Sequence, residues 1–189
     1  AWREGQGAHG YVDGKDWGTI LDKAWDKDGP YWNLRGNGGL HSTAGDMYRW
    51  HLALEGEKIL SKEAKEKYFK PHVPENPEGS SYYAYGWAVF ETPRKTRLVA
   101  HNGGNGVFFA DFRRYVDENV VVYAASNGEM SAIALTEVLP AIVFGAEYAM
   151  PPAVVAVDAT AMDRVAGSYA LASGSRIELA RDGANLRAS

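Results

Sequence analysis

The chain has no cysteine among its 189 residues. That excludes a disulfide framework and thiol chemistry, and it leaves the compartment, cytoplasm or periplasm, open. It has little net charge, −4 from 20 Lys and Arg against 24 Asp and Glu. No broad basic surface is therefore expected to hold nucleic acid or acidic lipid. The one lysine cluster, Lys62, Lys65, Lys67 and Lys70, is interleaved with Glu63 and Glu66 and reads as a solvated helix face. Long apolar runs are missing too. The longest, Ser131 to Phe144, is interrupted by Glu137 and Pro140 and is too short to span a bilayer. The five histidines, His9, His41, His51, His72 and His101, have no zinc-site spacing, so neither metal nor cofactor is expected. The first residues, Ala1 to Glu4, carry no signal-peptide pattern.

What is present suits a globular α+β protein. Apolar residues make up 46% of the chain, with six Trp and eleven Tyr to fill a core or cleft. Residues 1–39 hold no persistent period and read as a long loop with short pieces of structure. Thr43 and Asp46 form a capping pair, and Met47, Trp50, His51 and Leu54 recur at helical spacing up to Gly56. A second helix should run from the cap Ser61 to about Phe69, with Pro71 as its stop. Four strands are expected next, at Tyr83–Phe90, Arg97–His101, Gly106–Tyr115 and Val120–Ser126, the last two joined by a turn at Asp117–Asn119. Short links between consecutive strands favour an antiparallel sheet. Met130 to Gly145 reads as a helix packed on that sheet through Ile133, Leu135, Val138, Leu139, Ile142 and Val143.

Pro151 and Pro152 break the chain. Residues 1–148 are expected to form one domain, 149–158 a linker, and 159–189 the start of a small β-rich unit with a short helix at Thr160–Ala166 and turns at Gly174 and Asp182–Gly183. The first residue is not Met, and residues 185–189 stop within a strand-like pattern, so the chain reads as cut at both ends.

Chemistry-bearing motifs are few. Gly5, Gly7 and Gly10 spell G-x-G-x-x-G but follow no strand and open no helix, which removes the dinucleotide reading. Ser42, His101 and Asp46 are the types of a catalytic triad. No Ser lies in G-x-S-x-G, however, and Ser42 and Asp46 are better explained as capping residues. The informative stretch is His101-Asn102-Gly103-Gly104. A strand that ends in a polar residue and glycines lets a ligand approach its backbone, and free N–H groups there can face a developing oxyanion. A plain Gly-rich hairpin beside one polar His has the same spelling.

Taken with their neighbours in order, these residues resemble the serine β-lactamase-like family, which includes class C β-lactamases, D-alanyl-D-alanine peptidases and related esterases. Gly38-Gly39-Leu40 through Trp50 is similar to the family's G-G-L-x-S-T-x-x-D-x-x-x-W block. Tyr85-Gly86-Trp87 resembles a shortened Y-G-x-G-W strand, His101-Asn102-Gly103 the H-x-G form of the third active-site motif, and Val120 to Asn127 the strand that follows it. Gly10-Tyr11 fits the G-Y ahead of the long loop. The resemblance spans residues 8–145 and implies an antiparallel sheet flanked by helices, here incomplete. It also implies acyl transfer through an acyl-Ser to a small ester, amide or β-lactam substrate. His101 would line the cleft and Gly104 would donate its N–H to the oxyanion, as the catalytic positions. Gly103 would permit close approach, and Asn102 would occupy the slot of the family's Thr or Ser. Tyr31-Trp32-Asn33 spells the family's Y-x-N, but it follows Gly10-Tyr11 where the family's motif comes well before, so Tyr31 is the weakest substrate-binding candidate.

One family motif is missing. No Ser is followed three positions later by Lys, so the nucleophile and its Lys are absent from this sequence. The chain thus reads as a C-terminal part of a serine hydrolase, inactive alone, completed by an N-terminal half or by a second copy. The alternative is a non-catalytic ligand-binding or structural α+β module that kept the sheet. A sheet deprived of its usual cover should leave a bare edge or an apolar face.

Overall fold

A computed structural model describes residues 7–20, 38–128, 132–148, 157–171 and 174–188. Tyr31, Gly36, Asn37, Met130, Ser131 and most of the expected linker (149–156) lie outside the described residues. The chain divides into two compact units, Ala1–Tyr148 and Ala149–Ser189.

The first unit opens with a hairpin inside the stretch read as irregular, β1 (Gly10–Val12) and β2 (Lys15–Gly18). Its turn is Asp13-Gly14, both at positive φ, the conformation that an Asp-Gly pair supplies to a two-residue hairpin. Helix α1 (Ala44–Glu55) starts where the capping pair places it. Thr43 Oγ1 accepts from the Asp46 N–H at 3.1 Å and donates to the Asp46 carboxylate at 3.0 Å. Helix α2 (Lys62–Tyr68) is capped by Ser61.

A six-stranded antiparallel sheet follows in simple order: β3 (Val73–Pro74), β4 (Ser81–Tyr83), β5 (Ala88–Glu91), β6 (Arg97–Gly104), β7 (Phe109–Tyr115) and β8 (Val120–Ser126). The strand expected across Tyr83–Phe90 is in fact two. Ala84 donates to the Trp87 carbonyl at 2.7 Å, and Gly86 takes a φ of +77°, so the chain reverses there and buries Trp87. Strand β6 runs three residues past His101, through both glycines. Strand β7 begins only at Phe109, because Asn105 Oδ1 accepts from the N–H groups of Val107 and Phe108 and holds residues 105–108 as a turn.

Alternation assigns the two faces. Val99 on β6 is cross-strand from Arg114 on β7, and His101 from Phe112. On this face Leu54, Phe69, Trp87, Val99 and Phe112 form the core under α1 and α2. Each such buried side chain contributes about 1.5–3 kcal/mol. The other face carries Asp111 and Tyr115, under α3 (Ala132–Val143).

Helix α3 corrects the sequence reading. Its buried residues are Ala132, Thr136 and Pro140, while Leu135, Val138, Leu139, Ile142 and Val143 are exposed. The small, polar stripe faces the sheet because Thr136 Oγ1 donates to the buried Asp111 carboxylate, which also accepts from Arg113 Nε at 2.8 Å. A buried carboxylate requires such partners, and this requirement outweighs the preference of the bulkier stripe for the interior.

The second unit holds α4 (Ala159–Val165), capped by Asp158, and a three-stranded antiparallel sheet in the order β11-β10-β9, from β9 (Gly167–Ala170), β10 (Arg176–Asp182) and β11 (Asn185–Ala188). No helix among the described residues is long and apolar enough to cross a membrane.

Candidate active site

Residues 101–104 at the C-terminal end of β6 are exposed, whereas Val99 and Ala100 just before them are buried. The register explains what this end offers. Bonded and non-bonded pairs alternate along an antiparallel ladder. Val116 donates to the Arg97 carbonyl at 3.0 Å and Asn105 to the Phe108 carbonyl at 3.1 Å. With an unbroken register between them, Val99, His101 and Gly103 bond β7, and the N–H groups of Asn102 and Gly104 point the opposite way. On that side β5 pairs β6 only from Arg97 to Ala100. The amides of Asn102 and Gly104 are thus directed past the end of β5.

A concavity of about 270 Å³ lies at this strand end, lined by Asn102, Gly103, Gly104, Gly106, Phe109, Ala110 and Ile133. The two glycines are not equivalent. A Cβ at Gly103 would meet nothing within 4 Å among the described residues, so its side is open with respect to them. A Cβ at Gly104 would sit 2.4 Å from Phe109 Cδ1 and 3.1 Å from the Phe108 carbonyl oxygen, so the Phe109 ring occupies that space. Gly103 leaves room for a ligand, and Gly104 leaves room for the protein's own wall.

His101 is not part of that lining. Its Nε2 is 3.1 Å from the Tyr83 hydroxyl, and the two rings meet edge to face at 6.4 Å. Sequence reasoning did not single out Tyr83, and no local pattern marks it, since its neighbour is 18 residues away across two strands. Phe109, Ala110 and Ile133 were also missed as lining residues, because glycine draws the eye and the residues that fill its vacant space carry no motif. Of the five site residues expected, Asn102, Gly103 and Gly104 share one concave wall, and His101 stands beside it with Tyr83. Tyr31 lies outside the described residues.

The β1–β2 hairpin packs on the same end of the sheet. Tyr11 N–H donates to the Asn127 carbonyl, and Asn127 Nδ2 donates to the His9 carbonyl, both at 2.8 Å. Trp17 meets Phe108 edge to face, and Val107 approaches Gly10 so closely that a Cβ there would be 2.4 Å from it. Gly10 therefore permits the hairpin to brace the turn that ends the pocket. Asp46 stays with helix α1, in the capping contact with Thr43 and paired with Arg49, whereas Ser42, expected as a capping residue, is not the cap: its Oγ donates to the Thr43 carbonyl, and Thr43 holds the N-cap position. No group of three or more metal-ligating side chains occurs among the described residues.

At the opposite end of β6 a different arrangement appears. Arg114 is 2% exposed, and its Nη2 pairs with the Glu55 carboxylate while its Nε donates to His51 Nδ1 at 3.2 Å. Burial, followed by the charge of Arg114, holds the His51 ring below its usual pKa, with Glu55 and Asn119 opposing. The ring therefore stays neutral and accepts the Arg114 hydrogen bond.

Comparison with known proteins places these features in a family. A family model described as Beta-lactamase matches residues 3–138. Penicillin-binding protein 4* of Bacillus subtilis (strain 168) is 29% identical over 161 residues, which are 81% of this chain and 36% of that protein. The octameric penicillin-binding protein homologue from Pyrococcus abyssi shares the fold, with a TM-score of 0.62 at 19% identity over 96% of this chain and 43% of that chain. The chain spans less than half the length of these two relatives.

Proposed function

The chain belongs to the Beta-lactamase family, and from that premise we propose that it supplies the sheet wall of an acyl-transfer pocket whose attacking serine comes from other polypeptide. The reading rests on one observation: the exposed end of β6 turns the amides of Asn102 and Gly104 past the end of β5, beside a concave wall. In that pocket Gly104 donates its N–H to the oxygen that gains negative charge as the acyl carbon becomes tetrahedral. Gly103 leaves the space through which the acyl group approaches, and Asn102 contributes to the same wall. His101, held by Tyr83, hydrogen-bonds substrate. An ester, amide or β-lactam is the substrate class.

An oxyanion donor accelerates nothing without a nucleophile, and no Ser precedes a Lys by three positions. The 189-residue chain alone is expected to hydrolyse nitrocefin and p-nitrophenyl acetate no faster than buffer. Turnover that a covalent serine reagent abolishes would refute this. The same absence favours a second reading, a ligand-binding module with no chemistry of its own. Adding the N-terminal half of a family member separates the two, since only the first reading expects turnover on reconstitution.

Residues 1–148 form the hydrolase part in this reading, 149–158 a linker, and 159–189 the start of a small β-rich unit. The exposed stripe of Leu135, Val138, Leu139, Ile142 and Val143 on α3 supports a covering partner, either the N-terminal half or a second copy of the chain. A stable, monodisperse monomer in light scattering would count against both.

A further inference from the structure

The N-terminal end of β6 carries a second cavity, of about 250 Å³, between α1, α2 and the strands β6 and β7. Its lining is divided in character. Leu54, Phe69 and Val116 are apolar, Lys62, Lys65, Arg97 and Arg114 are cationic, and Glu55 and Glu66 are acidic, so cations outnumber acids by four to two. Arg97 and Lys62 form no ion pair among the described residues. Lys65 Nζ donates to the carbonyls of Glu55 and Gly56 at the end of α1.

Arg114 is the telling member. Its guanidinium is buried, bonded through Nη2 to Glu55 and through Nε to His51, and lies 5.3 Å from the centre of the Phe69 ring. Its Nη1 is buried with no hydrogen-bond partner among the described residues. A buried donor left unpaired is destabilising, the more so on a charged group, unless something comes to meet it. Desolvation lowers the Arg114 pKa; Glu55 opposes that, and the like charge of Arg97 adds to the lowering. Two arginines of like charge thus line one cavity, and the Glu55 carboxylate in the same lining is bonded to Arg114.

We infer that this cavity is a binding site for a small organic carboxylate, its anionic head held by Arg97 and the free Nη1 of Arg114 and its short apolar stem resting on Leu54, Phe69 and Val116. Planar guanidinium groups match a carboxylate's two oxygens, and the apolar part of the lining distinguishes such an acid from an inorganic oxoanion. The volume lies below the roughly 300 Å³ at which pockets begin to suit drug-sized ligands, so the acid has few carbons. The site is at the far end of β6 from His101–Gly104 and does not depend on the acyl-transfer reading.

The test is titration of the intact 189-residue chain with hexanoate and benzoate, followed by calorimetry and by the amide resonances of Leu54, Phe69 and Val116. Inorganic phosphate and hexanol serve as comparison ligands. Saturable binding by the carboxylates, weakened at least about tenfold in Arg97→Met, is the expected result, since one charge-assisted hydrogen bond carries that weight. Arg97 is exposed, so its replacement leaves the fold intact, and Lys62→Met provides an independent second variant. Absence of saturable binding up to tens of millimolar would overturn the inference. So would unchanged affinity in both variants, or phosphate or hexanol binding as tightly as the acids.

Discussion

The two ends of strand β6 share one unbroken register with β7, and they are built for opposite purposes. From Arg97 to Ala100 the strand is paired on both sides, and its inward side chain Val99 is fully buried. From His101 to Gly104 it is paired on one side only, and its residues are exposed. The first half uses side chains to hold the sheet to α1 and α2. The second half gives up side chains so that backbone amides can face outward. Shortening a neighbouring strand is enough to convert a structural strand into a candidate binding edge, and the hydrogen bonds to β7 keep that edge rigid.

The sharpest way to break this contrast is to cut across it at one cross-strand pair. Phe112 and His101 are partners in register, yet Phe112 is buried in the core and His101 is exposed. Phe112→Ala should cost about 3–5 kcal/mol of unfolding free energy. His101→Ala should change it by no more than about 0.5 kcal/mol. Urea denaturation of both variants decides the matter, and equal losses would mean that the open half of β6 is structural as well.

A smaller effect distinguishes the two glycines. Gly104→Ala places a Cβ against the Phe109 ring and the Phe108 carbonyl, an overpacking that should cost about 1–3 kcal/mol. Gly103→Ala meets open space, and its backbone is not in the left-handed region. It should be neutral, or gain about 0.4–1 kcal/mol from reduced freedom in the unfolded chain. A reversed order in thermal melts would show that the empty space lies on the other glycine, and with it the route of the ligand.

Much of this was legible in the residues. The Thr43–Asp46 pair and Ser61 mark both helix starts, and the β-branched run of Val120 to Ser126 marks β8 to the residue. These signals are local, so a reader of the chain meets them whole. The failures arise where a distant partner decides. Asp111 turns α3 so that Thr136 faces inward and five large apolar side chains face out, and nothing within Ala132–Val143 announces that. Gly86 divides Tyr83–Phe90 into two strands, although the aromatic pattern runs straight through it. At the site, the glycines are visible and their complements are not. Phe109 and Tyr83 acquire their roles only when β7 and β4 are brought to β6.

The least disruptive change, Tyr83→Phe, tests whether the open end is organised or merely exposed. The hydroxyl's partner is His101 Nε2 at 3.1 Å, on a surface where water can replace either group. An exposed hydrogen bond of this kind adds little to folding, so the melting free energy should move by no more than about 0.5 kcal/mol. The imidazole should nevertheless respond, because loss of the phenol removes a group that fixes which ring nitrogen carries the proton. Nitrogen-15 spectra of the His101 ring should show a clear change at Nε2 in the variant, while the Gly104 amide, on a backbone that its neighbours Gly103 and Asn105 hold to β7, stays in place. A silent imidazole would mean that Tyr83 and His101 are neighbours without a working contact, and that the glycine edge of β6 stands without a histidine to orient what binds there.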